Sequence, residues 1–251
     1  MRLSRRRALQ WLAGGTAWAA ASPAFAAEPR VARLIAETQH DATISQRIDV
    51  ISAALRGTHY QSNTLIGSPR RPERFVLRDD AFDCVTYVET VLAAARSHDQ
   101  TSFETTLREI RYRNGYVNWF ERNHYFFEWC EHNVENKMCR WVDMAGSVQI
   151  KKTVDSQKGL STRRFVIHVI PRPVFLANAA RLATGDIVGF VSQRPDLDYF
   201  HCGFAVRDKA LLLRHASEAR QRVLDEGMAH FFARSRARYV TVVRPQEVAV
   251  T

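Results

Sequence analysis

Cys84 follows Asp83 at the head of an apolar periodic stretch, and His201 and His215 lie in two strand-like runs further along the chain. A thiol, an imidazole and a further polar ring are what thiol-based acyl transfer needs: a nucleophile, a base for its proton, and a group that orients the base. Val85, Val88, Leu92 and Ala95 share one face, so the spacing predicts a helix over 83–95 with Cys84 at its start. Unpaired N–H groups and the positive end of the helix dipole favour thiolate over thiol there. Position alone favours a plainer role, a small buried residue opening a core helix. In His201-Cys202-Gly203-Phe204-Ala205-Val206, alternation puts Cys202, Phe204 and Val206 on one face and His201, Gly203 and Ala205 on the other. In the next run Leu211, Leu213 and His215 share a face. Paired as neighbours, the two strands would set His215 beside His201. Two structural histidines fit the alternation equally well.

The elements that must position these residues change character along the chain. Ile44, Ile48, Ile51 and Leu55 predict a helix over 41–56, stopped by Gly57. Residues 58–78, with Gly67, Pro69 and Pro72, read as irregular. Phe103, Leu107 and Ile110 predict a helix over 102–111, while 119–141 is aromatic-rich with no clear period. Strands follow at 164–169, 186–192, 201–206, 211–216 and 239–243, with short helices expected at 174–182 and 225–232. Helices first and then strands between turn signals predict an α+β fold with an antiparallel sheet, in one domain.

The chain has 251 residues, 46% hydrophobic and 25% charged, which excludes disordered, collagen-like and multi-span membrane classes. Residues 1–26 read as a twin-arginine signal peptide. Ser4-Arg5-Arg6-Arg7-Ala8-Leu9 precedes an apolar stretch too short to span a bilayer, and Ala24-Phe25-Ala26 has the form of a cleavage site. The expected domain is then 27–251, exported by the twin-arginine route to the periplasm or beyond, with no stable membrane span after signal removal. The signal holds four arginines and no acid, so its removal lowers the net charge from +10 to +6. No dense Lys/Arg run with interleaved aromatics appears, so nucleic acid is not expected as a partner. A carboxylate-bearing peptide suits the charge equally well.

Three stretches carry a family resemblance: Leu55-Arg56-Gly57-Thr58-His59-Tyr60, Phe82-Asp83-Cys84-Val85-Thr86-Tyr87-Val88-Glu89-Thr90 and Arg122-Asn123-His124-Tyr125-Phe126. With Gly185-Asp186-Ile187-Val188-Gly189-Phe190, Asp198-Tyr199-Phe200-His201-Cys202-Gly203-Phe204 and Arg214-His215-Ala216-Ser217, the chain resembles the NlpC class of papain-like cell-wall cysteine hydrolases over 55–243. It is most similar to the N-acetylmuramoyl-L-alanine amidase-like branch. The resemblance implies a papain-like NlpC-type fold, with the nucleophile helix packed on an antiparallel sheet. It also implies Cys84 as nucleophile, His201 as general base and acid, and His215 as the group orienting His201. Tyr60 falls where the family has a pocket tyrosine, and His124 matches its His-Tyr pair; both are expected to contact substrate. The implied reaction cleaves the amide between N-acetylmuramic acid and L-alanine in a muropeptide or peptidoglycan, through a thioester, with no metal or organic cofactor. His59 stands where the family has proline, Val85 where it has threonine, and Cys202 where an aliphatic is usual.

Two further readings stay open: an endopeptidase cutting within the stem peptide, and a non-catalytic cell-wall-binding module. His124, Cys130, His132 and Cys139 lack zinc-site spacing. In an exported protein with Cys84 reserved for chemistry, a Cys130–Cys139 disulfide is expected, against the alternative of two free thiols. A loop so short would gain roughly 2–3 kcal/mol from it in the chain-entropy model. His168, Trp119, Trp129 and Trp141 read as packing residues, and the basic run 234–238 as a solvated face.

Overall fold

A computed structural model describes residues 29–41, 43–155 and 157–248. The signal assigned to 1–26 lies outside them. The N-terminal half contains α1 (Arg30–Thr38), α2 (Ile44–Ala54), β1 (His59–Tyr60), β2 (Ile66–Ser68), β3 (Arg71–Arg74), β4 (Ala81–Phe82), α3 (Cys84–Ala95), α4 (Gln100–Arg111) and α5 (Phe126–Glu135). The remainder contains β5 (Cys139–Trp141), β6 (Val148–Val154), β7 (Arg163–Pro171), α6 (Arg172–Ala177), β8 (Ile187–Val191), β9 (Tyr199–Arg207), β10 (Leu211–Ser217), β11 (Arg222–Gly227), α7 (Met228–Ser235) and β12 (Tyr239–Pro245). Among the described residues no helix is long and apolar enough to cross a membrane.

Ten strands form one sheet in the order β4-β1-β11-β10-β9-β8-β12-β7-β6, with β5 pairing off β12. Every pairing is antiparallel except β1 with β4. The expected α+β class with a largely antiparallel sheet is what the chain adopts. Strand alternation builds two cores. Ile187, Val191, Cys202 and Phe204 face the layer of α1–α5. Val188, Phe190, Ala205 and Leu213 face the other side, under α6 and α7. The central strands β8, β9 and β10 are therefore covered on both faces, which their apolar runs require.

Two caps fix the elements around the site. Asp83 accepts from the N–H groups of Val85 and Thr86, and Thr86 Oγ1 accepts from Asp83 N–H, so α3 starts at Cys84. The start of α5 has no local side-chain cap; instead Asp198, at the entry to β9, accepts from Phe127 N–H at 2.9 Å.

Several expectations need correction. The helix expected over 225–232 begins only at Met228, because 222–227 pair with β10 as a strand. The helix over 174–182 divides into α6 and a 3-10 turn at Ala179–Arg181. The irregular 58–78 holds three two- to four-residue strands, and β6 and α1 were not anticipated. The Cys130–Cys139 disulfide does not form: all four cysteines are free. Both residues are core side chains, Cys130 on α5 and Cys139 on β5. Burial pushes both thiols up, Cys139 to about 12, as expected of small hydrophobes rather than reactive sulfurs.

Candidate active site

Cys84 is the first residue of α3, half-buried where the helix meets the sheet. The amides that follow it are spent: Val85 and Thr86 donate to the Asp83 carboxylate and Tyr87 to the Asp83 carbonyl. Among the described residues, the Cys84 N–H makes no hydrogen bond. The helix start thus leaves one orphan donor beside the sulfur.

The thiol itself is held well below the usual thiol range. Its hydrogen bond with the Cys202 thiol is the largest cause; burial opposes it, and a hydrogen bond with His201 and the imidazole's charge add to it. Cys202 moves the opposite way, raised by burial and then by Cys84. Burial, then the charge on Cys84, pushes the Asp83 carboxyl up to about 6.

The histidines come together as the strand pairing requires. β9 and β10 are antiparallel neighbours, with Arg214 opposite Phe204. His201 Nε2 lies 2.6 Å from His215 Nδ1. A β-bulge precedes His201: Phe190 pairs with His201 but Val191 with Tyr199, leaving Phe200 as the extra residue. Bulges re-aim neighbouring side chains, often beside active sites. Phe231 of α7 covers the pair, stacked on His201 at 5.3 Å and edge-on to His215 at 5.5 Å.

The proton positions follow from the surroundings. Burial, with His201 and the Arg234 guanidinium adding, pushes His215 down to about 3, so its ring is neutral at neutral pH and carries one N–H. His215 Nε2 is buried without a hydrogen bond and faces Glu226 Oε2 at 3.4 Å. That carboxylate favours the proton on Nε2. His215 Nδ1 then accepts from His201 Nε2–H, and His201 Nδ1 keeps its lone pair.

Gly203 makes room for this arrangement. A Cβ there would lie 2.8 Å from His215 Cβ and 2.9 Å from both Arg214 O and Leu213 Cδ1. The first two atoms belong to the backbone and the root of a buried side chain, so they cannot step aside cheaply. We expect Gly203→Ala to lower stability by about 1–3 kcal/mol, as overpacking does. Denaturant titration of the variant beside wild type tests this.

Tyr60 and His124 occupy different parts of the surroundings. Tyr60, on β1, lies within electrostatic reach of Cys84: burial first, then the Cys84 charge, raises its hydroxyl above the usual phenol range. His124 does not touch the thiol. It lines a cavity of about 390 Å³ that opens beside Cys84, with Asp83, Val85, Asn123, Phe126 and Trp129 also in its wall. Burial pushes His124 down to about 4, and its Nε2 bonds the Trp119 carbonyl at 2.6 Å. Thr64 Oγ1, Asn123 Oδ1 and Trp129 Nε1 are buried without a hydrogen-bond partner among the described residues, and all three residues line this cavity. Among the described residues, no three His, Cys, Asp or Glu side chains are grouped as a metal ion requires.

Cys202 and Glu226 are the contacts that sequence reasoning missed. Cys202 stood out only as a departure from the family pattern. Glu226 fell inside the wrongly expected helix, which hid its place opposite Leu213, two residues from His215.

The class defined by this fold and site is a mixed α+β protein that gathers a thiol and two imidazoles at one end of a helix lying on an antiparallel sheet. A family model described as AmiA-like, N-acetylmuramoyl-L-alanine amidase-like, matches residues 50–237, and the chain belongs to that family. No curated protein matches the chain. Among solved structures, a protein from Legionella pneumophila (strain Philadelphia 1) aligns with a TM-score of 0.75 and 21% identity, covering 87% of this chain and 95% of that one. An N-acetylmuramoyl-L-alanine amidase from Bacteroides uniformis aligns with a TM-score of 0.71 and 23% identity, covering 81% and 99%. At these identities the likeness is one of fold.

Proposed function

We propose that this protein is an exported cysteine amidase of papain-like NlpC type. Its substrate would be the amide between N-acetylmuramic acid and L-alanine in peptidoglycan fragments. The observation that carries the reading is the placing of Cys84 at the head of α3 against β9, where Cys202 donates to its carbonyl, with the adjoining His201 2.6 Å from His215. The amidase-like family supports the substrate class. The twin-arginine pattern and cleavage motif within residues 1–26 support export to the periplasm or beyond.

In this mechanism His201 Nδ1 holds the proton given up by Cys84, and the resulting thiolate attacks the lactyl carbonyl of the muramic acid. The carbonyl oxygen becomes an oxyanion, and the Cys84 N–H would stabilise it, a contribution of about 3 kcal/mol for donors of this kind. His201 returns the proton to the departing nitrogen of L-alanine, leaving a thioester. Water activated by the same ring then releases the acid. His215, neutral and held against Glu226, fixes the orientation of His201 without becoming charged. Tyr60 contacts substrate beside the sulfur. The cavity lined by His124, Asn123 and Trp129 offers unpaired donors and acceptors to substrate amides and hydroxyls.

Digestion of defined muropeptides, read by mass spectrometry, tests the assignment. The expected products are a peptide-free muramic acid and a stem peptide that still begins with L-alanine. Fragments cut within the stem would mean an endopeptidase, and intact substrate with retained binding a non-catalytic module.

A further inference from the structure

The proposed hydrolysis makes no covalent use of Cys202, yet this residue is built against the nucleophile. Cys202 Sγ donates to the Cys84 carbonyl oxygen at 3.3 Å, which sets the Cys202 thiol against the first residue of α3. Both sit on rigid elements. α3 packs on β9 through Tyr87 and Phe204, whose rings meet edge-on at 5.9 Å, and Cys202 shares the strand face of Phe204. The two residues differ in exposure. Cys202 is 1% exposed, whereas Cys84 is half-buried between Asp83 and Val85, which line the cavity beside it. An attacking thiolate that a small solute can reach, with a second thiol held against it, is the layout of a peroxide-sensing pair.

We propose that Cys84 and Cys202 form an oxidation site for small hydroperoxides, in which a disulfide between them reversibly closes off the nucleophile. In the first step the Cys84 thiolate attacks the outer peroxide oxygen. The O–O bond breaks, sulfur gains one oxygen and loses two electrons, and the alkoxide or hydroxide that leaves takes up a proton. Cys84 is then a sulfenic acid. In the second step the Cys202 sulfur attacks the Cys84 sulfur. The S–S bond forms, the S–O bond breaks, and the departing hydroxide takes the Cys202 proton to leave as water. Burial first, and then the neighbouring Cys84 thiolate, hold the proton on Cys202 and keep it a poor nucleophile. Conversion of Cys84 to the neutral sulfenic acid removes the second of these effects and favours the second step. A dithiol reductant reverses the bond by exchange.

The disulfide does not depend on the amidase reading; only its inhibitory consequence does. The test therefore reads bond and activity separately. The purified chain is exposed to a modest excess of hydrogen peroxide, then analysed by non-reducing peptide mapping and by muropeptide hydrolysis, before and after dithiothreitol. The expected result is loss of two hydrogens from the intact mass, a peptide joining Cys84 to Cys202, and activity lost and then restored by dithiothreitol. In Cys202→Val and Cys202→Ala, Cys84 should instead gain two or three oxygens. Loss of each variant's own starting activity should then persist after reduction. Wild type whose Cys84 is over-oxidised as readily as in these variants, or whose bond joins Cys130 to Cys139, overturns the proposal. A Cys84–Cys202 bond in a chain that cleaves no muropeptide would uphold the oxidation site and reject the amidase.

Discussion

Cys84→Ala is expected to lower muropeptide cleavage by about 10⁴- to 10⁶-fold, the scale of losing a hydrolase nucleophile that works as a unit with its base. The estimate rests on what remains after the sulfur is gone. The Cys84 N–H is a backbone group and stays in place, so any oxyanion stabilisation survives, but nothing is left to form the thioester. The fold should scarcely notice. Cys84 is half-buried at the edge of the core, α3 is capped by Asp83 rather than by the thiol, and alanine is the best helix former. Stability should change by about 1 kcal/mol, the centre of the range for single substitutions. A melting curve beside the rate assay separates loss of chemistry from loss of structure. Retained cleavage in a well-folded Cys84→Ala protein would move the nucleophile elsewhere. Within the same series, His201→Ala should lose more than His215→Ala. In the proposed mechanism His201 exchanges the proton with sulfur and leaving group, while His215 only holds it in place.

Much of this layout was legible in the sequence because it rests on local rules. The Asp-Cys start of α3 follows from an acidic cap before an apolar period of helical spacing. The meeting of His201 and His215 follows from two alternating runs joined by a short turn, which made them antiparallel neighbours. What stayed hidden depends on long-range pairing. Residues 225–227 carry Asp, Glu and Gly, poor strand formers, and pair with β10 only because Arg214 reaches back to Asp225 at 2.7 Å and the sheet offers an open edge there. Glu226 was therefore invisible as a neighbour of His215. The contact between Cys202 and Cys84 was likewise unreadable: it depends on α3 crossing β9 at this point, which no spacing along the chain encodes. The disulfide expectation failed for the same reason. Closeness of Cys130 and Cys139 in sequence says nothing about where α5 and β5 point their side chains, and both point into the core.

The largest expected effect on stability lies on α3, five residues beyond Cys84. Glu89 on α3 and Arg111 on α4 form an ion pair of 2.8 Å with both side chains 3% exposed. Arg111 Nη1 also donates to the Val76 carbonyl at 2.8 Å, tying both helices to the loop before β4. Burial opposes the charge on Arg111, but Glu89 and the bond to it outweigh that penalty, and the guanidinium is held above its usual range. Glu89→Ala keeps the penalty and removes the compensation. Breaking a buried pair from one side typically costs about 3–5 kcal/mol, which for a domain of this size is a fall of roughly 10 °C in melting temperature. Glu89→Leu with Arg111→Met removes both charges and should regain most of that loss, because an apolar pair of similar volume needs no desolvated charge. Urea titrations of the single and double variants measure the difference directly. Near-equal losses in both would mean that shape, not charge, holds α3 against α4. The same pair bears on the proposed function, because Glu89 and Arg111 line the cavity beside Cys84. A double variant restored in stability but weakened in substrate binding would show that this buried charge is kept for the wall it gives the substrate cavity.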